Sequence, residues 1–208
     1  RYLLEKLKEV FDGDNSKLVD FGIFVVQRCS LVAVSTSTQH SAFRIFSVMN
    51  SRGLDLQPTD ILKAEVIGQL GKDKQAEYNE RWEDMEVELG RSGFNDLFSY
   101  VRMIYAKEKA KRALLEEFKS QVISKISTPV ALIEDVLEPY ADALAIVKHA
   151  NYEASSNAQD VNSYLKWLNR IDNSDWIPPA ILFLAKHKQE PDYVLWFFHR
   201  LERLAACM

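Results

Sequence analysis

Proline placement constrains this chain more than any other feature. Of its six prolines, five (Pro58, Pro129, Pro178, Pro179 and Pro191) stand just ahead of a run with apolar residues at helical spacing. Proline fits the first turn of a helix, where its missing N–H costs nothing, and it disrupts a helix interior or a central strand. Several elements therefore begin as helices. Thr128-Pro129 joins a capping hydroxyl to a first-turn proline. The sixth, Pro139, falls inside a helical pattern and must kink or end it. With only seven glycines in 208 residues, a turn-rich β fold is disfavoured.

The apolar period of i, i+3, i+4, i+7 recurs along almost the whole chain. Leu3, Leu4, Leu7 and Phe11 mark a short first helix. Leu18, Phe21, Val25, Val26 and Cys29 mark a second, with Ser16 as its cap. Leu31-Val32-Ala33-Val34-Ser35-Thr36 is β-branched and aperiodic and reads as a short strand. Ala42, Ile45, Phe46 and Met49 restart a helix, which Asn50-Ser51-Arg52-Gly53 stops. Pro58 opens the next, to about Leu70, with Asp60 at its positive end. Trp82, Met85 and Leu89 point inward from a polar helix over 75–90, and Gly93 is expected to break it. Further helices are expected around Leu97–Tyr105, Leu115–Ile126, Val161–Ile171, Pro178–Lys188 and from Pro191 onward. The fold class is mainly α: a multi-helix, bundle-like domain with at most one or two short strands near 31–36. Residues 152–159 are the best linker, which either divides the chain into 1–151 and a C-terminal subdomain 160–208 or joins the two as one continuous domain.

Composition narrows function. Apolar residues make up 47%, and 26 Lys+Arg stand against 30 Asp+Glu, a net charge of −4. That acidic balance does not mark a general nucleic-acid binder. The longest uncharged apolar run, Trp176–Ala185, is too short to span a bilayer, so no membrane partner is expected. Cys29 and Cys207 lie far apart in apolar context, which reads as buried free thiols in a reducing cytoplasm. The chain opens on Arg1, and the reading is a piece of a longer protein. A GxGxxG fingerprint, a P-loop, a CxxC pair and an HExxH helix are absent, so no catalytic residue and no metal ligand is assigned. His199-Arg200 reads as the wet face of the last helix. The acidic run Glu83, Asp84, Glu86, Glu88 reads as a solvated face, and the basic cluster Lys107, Lys109, Lys111, Arg112 as a charged helix end or loop.

The informative stretch is 42–67: an amphipathic helix, a polar turn and a second helix close behind. Such a turn gathers backbone N–H groups, one Asn and one Arg, and makes a plausible anion- or nucleotide-contacting corner. The plainer account is that Asn50 and Gly53 terminate a helix, Asp60 complements a dipole and Lys63 is solvated. Phe46, then Asn50-Ser51-Arg52-Gly53-Leu54, Leu56 and Asp60-Ile61-Leu62-Lys63 resemble the hallmark of GmrSD-type, modification-dependent (type IV) restriction endonucleases. Trp82, Leu89-Gly90, Phe94 and Leu97-Phe98 also look like that family, over about residues 18–100. The resemblance implies a ParB/sulfiredoxin-like, nucleotide-hydrolysing domain with an Asp-Gly-Gln-Gln-Arg motif before the helical region, and often an HNH-type nuclease domain after it. Neither motif occurs in this chain. The resemblance thus assigns it to the helical middle, inactive alone, with NTP and a divalent metal belonging to the full-length protein and DNA reached through it. It places Asn50, Arg52 and Gly53 at a nucleotide- or domain-facing turn, with Phe46, Asp60 and Lys63 supporting it. The alternative is a non-enzymatic helical protein-interaction module whose turn is only structural.

Overall fold

A computed structural model describes residues 6, 7, 10, 11, 14–30 and 57–206. The expected strand at 31–36 and the turn residues Phe46, Asn50, Arg52 and Gly53 lie outside them. The protein is mainly α and bundle-like, and no strand occurs among the described residues. The chain divides into two compact units, 1–49 and 50–208.

In the first unit, α1 (Asn15–Arg28) is capped by Asp14, whose side chain accepts from the backbone N–H of Ser16 and Lys17. The cap is therefore Asp14, not Ser16: a carboxylate one residue outside the helix reaches two orphan donors at once. Cys29, expected to be buried, is an exposed free thiol just past the last turn.

The second unit begins with α2 (Pro58–Gly68), followed by a long helical run, α3 (Lys72–Ala106). This run is not straight. Trp82 and Phe94 are twelve residues apart, roughly 18 Å of rise in a straight helix, yet their rings stand 5.6 Å apart, edge to face. Trp82 also meets Phe98 at 5.5 Å. The halves 72–89 and 91–106 must fold toward each other, and they do so at Gly90, whose φ of 70° and ψ of 155° lie outside the helical region. Only glycine adopts that conformation readily. The break falls at Gly90 rather than Gly93. Gly93 is helical and buried, and the end of the flexible Lys148 side chain lies over it.

The fold-back builds the core. Tyr78, Trp82, Met85 and Leu89 from one half meet Phe94, Leu97, Phe98 and Val101 from the other. Phe98 then meets Phe118 of α4 (Leu114–Gln121) at 4.8 Å. Fully burying an aromatic or aliphatic side chain stabilises by about 1.5–3 kcal/mol, so this cluster is a large part of what holds the bend closed.

A helical run from Pro129 to His149 carries Pro139 near the start of α5 (Glu138–His149). Thr128 caps the run, accepting from the Ala131 N–H. Pro139 neither ends nor sharply breaks it. The preceding stretch Leu132–Leu137 widens into a π-helix, in which Glu138 N–H reaches back to Ile133 O. A wide turn accommodates a ring that would crowd the carbonyl four residues back.

Three helices follow: α6 (Ala158–Leu168), α7 (Ile177–His187) and α8 (Pro191–Ala205). The 152–159 stretch lies inside the second unit and is pinned at its start. Tyr152 is buried, its hydroxyl donates to Lys188 O at 2.7 Å, and the Asn162 side chain bonds both its N–H and its carbonyl.

Candidate functional site

Of the residues assigned to the turn, Asp60 and Lys63 are described. They sit one helical turn apart on α2 and face opposite sides of the Gly90 bend. Asp60 Oδ2 accepts from the Gln57 N–H at 2.8 Å and from Arg91 Nη2 at 2.9 Å, so one oxygen both caps α2 and grips the second half of α3. Lys63 Nζ reaches Glu83 Oε1 of the first half at 2.8 Å, and Asn79 donates to the same oxygen at 2.9 Å. These bonds hold the Glu83 carboxyl below its ordinary value, Lys63 first and Asn79 second. Lys63, expected to be solvated in the plainer account, is instead committed. With its Oδ2 engaged in this way, Asp60 belongs to a clamp that joins the start of α2 to the bend.

A second polar cluster lies across α3. Arg102 is 3% exposed and Glu117 is 7% exposed. Arg102 Nε stands 2.5 Å from Glu117 Oε2, a buried ion pair. The other groups are well used: Arg102 Nη1 donates to Glu108 O at 2.5 Å, and Glu117 Oε1 accepts from the N–H groups of Lys111 and Arg112 at 2.6 and 2.8 Å. The Lys111 and Arg112 N–H donors, then the Arg102 charge, hold the Glu117 carboxyl below its usual range against the cost of burial. The exposed basic stretch 107–112 is thus a loop fastened from beneath, and the buried pair is its anchor.

A third feature lies between α6 and α8. It is an open groove of about 640 Å³, walled by Asp160, Tyr164 and Trp167 from one helix and Asp192, Trp196 and His199 from the other. Sequence periodicity gives no warning of it. Val161, Leu165 and Leu168 make the buried stripe of α6, and Trp167 is 58% exposed beside it. The available signal was a tryptophan out of phase with its helix's apolar period. His199 does lie on the wet face of the last helix, but there it leans on Tyr164, with ring centres 5.6 Å apart.

Among the described residues no group of three His, Cys, Asp or Glu converges as metal ligands would, and no helix is long and apolar enough to cross a membrane. No family model, curated protein or solved structure matches the chain.

Proposed function

We propose that this chain is the helical core segment of a GmrSD-like, DNA-targeting restriction or phage-defence protein of the cytoplasm. In this reading it carries nucleotide-hydrolysing and nuclease domains that lie outside it. One observation supports the reading most. Two charged residues of the resembling stretch, Asp60 and Lys63, clamp α2 to both sides of the Gly90 bend. A helix fixed in that way is a rigid element close in sequence to Asn50–Gly53, and a nucleotide- or domain-facing corner needs such support. Hydrolysis of NTP with a divalent metal, and DNA cleavage, belong in this reading to the attached domains.

The test uses the protein as its gene encodes it. An Asp-Gly-Gln-Gln-Arg stretch ahead of residue 1 is expected, together with GTP or ATP hydrolysis. Arg52→Ala should lower that hydrolysis while leaving the melting temperature in place. An unrelated upstream domain, or a loss of melting temperature with hydrolysis intact, overturns the assignment.

A second reading, a non-enzymatic protein-interaction module, is favoured by the half-exposed tryptophans of the α6–α8 groove, because tryptophan is over-represented where protein interfaces carry their energy.

A further inference from the structure

Two contacts fix how α6 and α8 lie. Asn157 Nδ2 donates to Asp192 Oδ1 at 2.6 Å, and the Tyr164 and His199 rings stand 5.6 Å apart. Both contacts join residues 35 positions apart in sequence. The two helices therefore run in the same direction, in fixed register. Each buries one stripe, Val161-Leu165-Leu168 on α6 and Val194-Phe198-Leu201-Ala205 on α8. Each turns a second stripe toward the groove at i, i+4 and i+7: Asp160, Tyr164, Trp167 and Asp192, Trp196, His199.

Because the helices are parallel, like ends adjoin. The two carboxylates share one end of the groove, and Trp167 and His199 lie toward the other, roughly 10 Å further along at 1.5 Å per residue. An aspartate in a helix's first turn is ordinary, since it complements the helix dipole. Here the two aspartates open onto one groove with two large indoles left half in solvent, Trp167 at 58% and Trp196 at 50%. The indoles are also propped: the Arg170 guanidinium lies 4.5 Å from the Trp167 ring centre, and that of Arg200 5.8 Å from Trp196. Neither arginine is among the described residues lining the groove, and no lysine is either. The Asp160 and Asp192 end of the groove is therefore negative, while the two arginines lie behind the indoles.

We propose that this groove docks a segment of a partner protein carrying a basic side chain. The guanidinium or ammonium sits between Asp160 and Asp192, and a flat apolar side chain a short distance along the segment lies against Trp167 and Trp196. Charge complementarity selects this occupant. A nucleic-acid strand could stack on the indoles, but its phosphates would meet two carboxylates. The proposal rests on the second reading above, which it deepens by naming the chemistry of the partner, and does not depend on which domain lies upstream; binding of the glutamate peptide instead would sink the proposal and leave that reading standing.

The test is fluorescence anisotropy on the full 208-residue chain with three labelled probes: a peptide alternating arginine and phenylalanine, the same peptide with glutamate for arginine, and a ten-residue oligothymidylate. The arginine peptide should bind, and the glutamate peptide should bind at least about tenfold more weakly. Trp196→Ala, and separately the pair Asp160→Asn with Asp192→Asn, should each weaken the arginine peptide at least about fivefold. Asparagine at 192 keeps an oxygen that can accept from Asn157, and helicity and melting temperature are measured for each variant, so that binding lost while both hold reports on the groove. Three results overturn the proposal: no binding of the arginine peptide up to about 1 mM, equal or tighter binding of the glutamate peptide or oligothymidylate, or binding of the arginine peptide that survives these substitutions.

Discussion

Replacing Gly90 with alanine separates backbone geometry from packing more cleanly than any other substitution in this protein. A Cβ built at Gly90 meets no atom within 4 Å, so the substitution adds no collision. What it adds is strain, because φ 70° with ψ 155° is a region L-residues rarely occupy. Holding a non-glycine residue there costs about 1–3 kcal/mol. Alanine also narrows the unfolded ensemble, which returns about 0.4–1 kcal/mol. The net expectation is a loss near 1.5 kcal/mol, or roughly 3–6 °C in melting temperature for a chain of this size. The chain cannot escape by straightening, since that would pull Trp82 off Phe94 and Phe98 and sacrifice more than it relieves. Gly68→Ala is the matched control. A Cβ at Gly68 also meets open space, but this glycine lies within α2 with no left-handed φ, so alanine there should be neutral or stabilise by up to about 1 kcal/mol. Urea unfolding followed by tryptophan fluorescence, with circular dichroism as a second probe, measures both. If Gly90→Ala is as stable as the parent, or moves in the same direction as Gly68→Ala, the bend does not depend on glycine and the account of α3 is wrong.

Two further outcomes follow from the core and the ion pairs. Phe98→Ala removes a ring that is 0% exposed and joins Trp82, Phe94 and Phe118, so it should cost about 3–5 kcal/mol in urea unfolding; a cost under about 1 kcal/mol would mean that the aromatic cluster is not packed as described. Glu83, Glu117 and Glu134 are all held below the unfolded glutamate value of 4.5, Glu134 chiefly by the Tyr78 hydroxyl and then by Arg81. Their stabilisation is present above that value and is lost as pH falls through the lower, folded ones. Melting temperature should therefore hold from neutral pH to about 5 and drop below about 4.5, and Glu134→Gln should lower it at neutral pH while flattening the acid limb; an acid limb of unchanged slope in that variant would refute the assignment.

The helix starts were readable because their chemistry is local. Pro58, Thr128-Pro129 and Pro191 each stand where a helix begins, since a first-turn proline or a capping hydroxyl acts through its own neighbours. Features set by tertiary contact were not readable in the same way. Gly90 and Gly93 look alike in a sequence, but one supplies a left-handed bend and the other is an ordinary helical residue near Lys148, which is 55 positions away from it. Pro139 announced a disturbance without saying that a π-turn would absorb it. The period of α6 and α8 correctly found Val161, Leu165 and Phe198, but it cannot see that two helices lie parallel, and so it could not bring Trp167, Trp196 and two aspartates together. Asp60 was readable as a first-turn carboxylate and Lys63 stood out only through a resemblance, and nothing in their spacing names Arg91 and Glu83 as partners.

That last pairing explains how a short helix can hold one position against a bent one. The energy that binds α2 comes from Leu62 and Val66, which are 0% and 2% exposed and are each worth about 1.5–3 kcal/mol on burial. Its ion pairs are partly exposed, with Arg91 and Asp60 at 33% and 29%, Lys63 and Glu83 at 21% and 56%, and Lys119 and Glu65 at 39% and 35%. Pairs like these contribute at most about 1 kcal/mol each. Apolar burial therefore decides whether α2 binds, but it does not decide where. Leu62 and Val66 are one turn apart, so sliding α2 by a turn would put one into the other's place at modest cost. The same slide would carry Asp60 away from Arg91 and Lys63 away from Glu83 together. Because those two partners stand on opposite sides of Gly90, no single displacement of α2 satisfies one and spares the other. The weaker interactions thus set the register, and they tie it to the angle of the bend. A change in the Gly90 angle must strain the clamp.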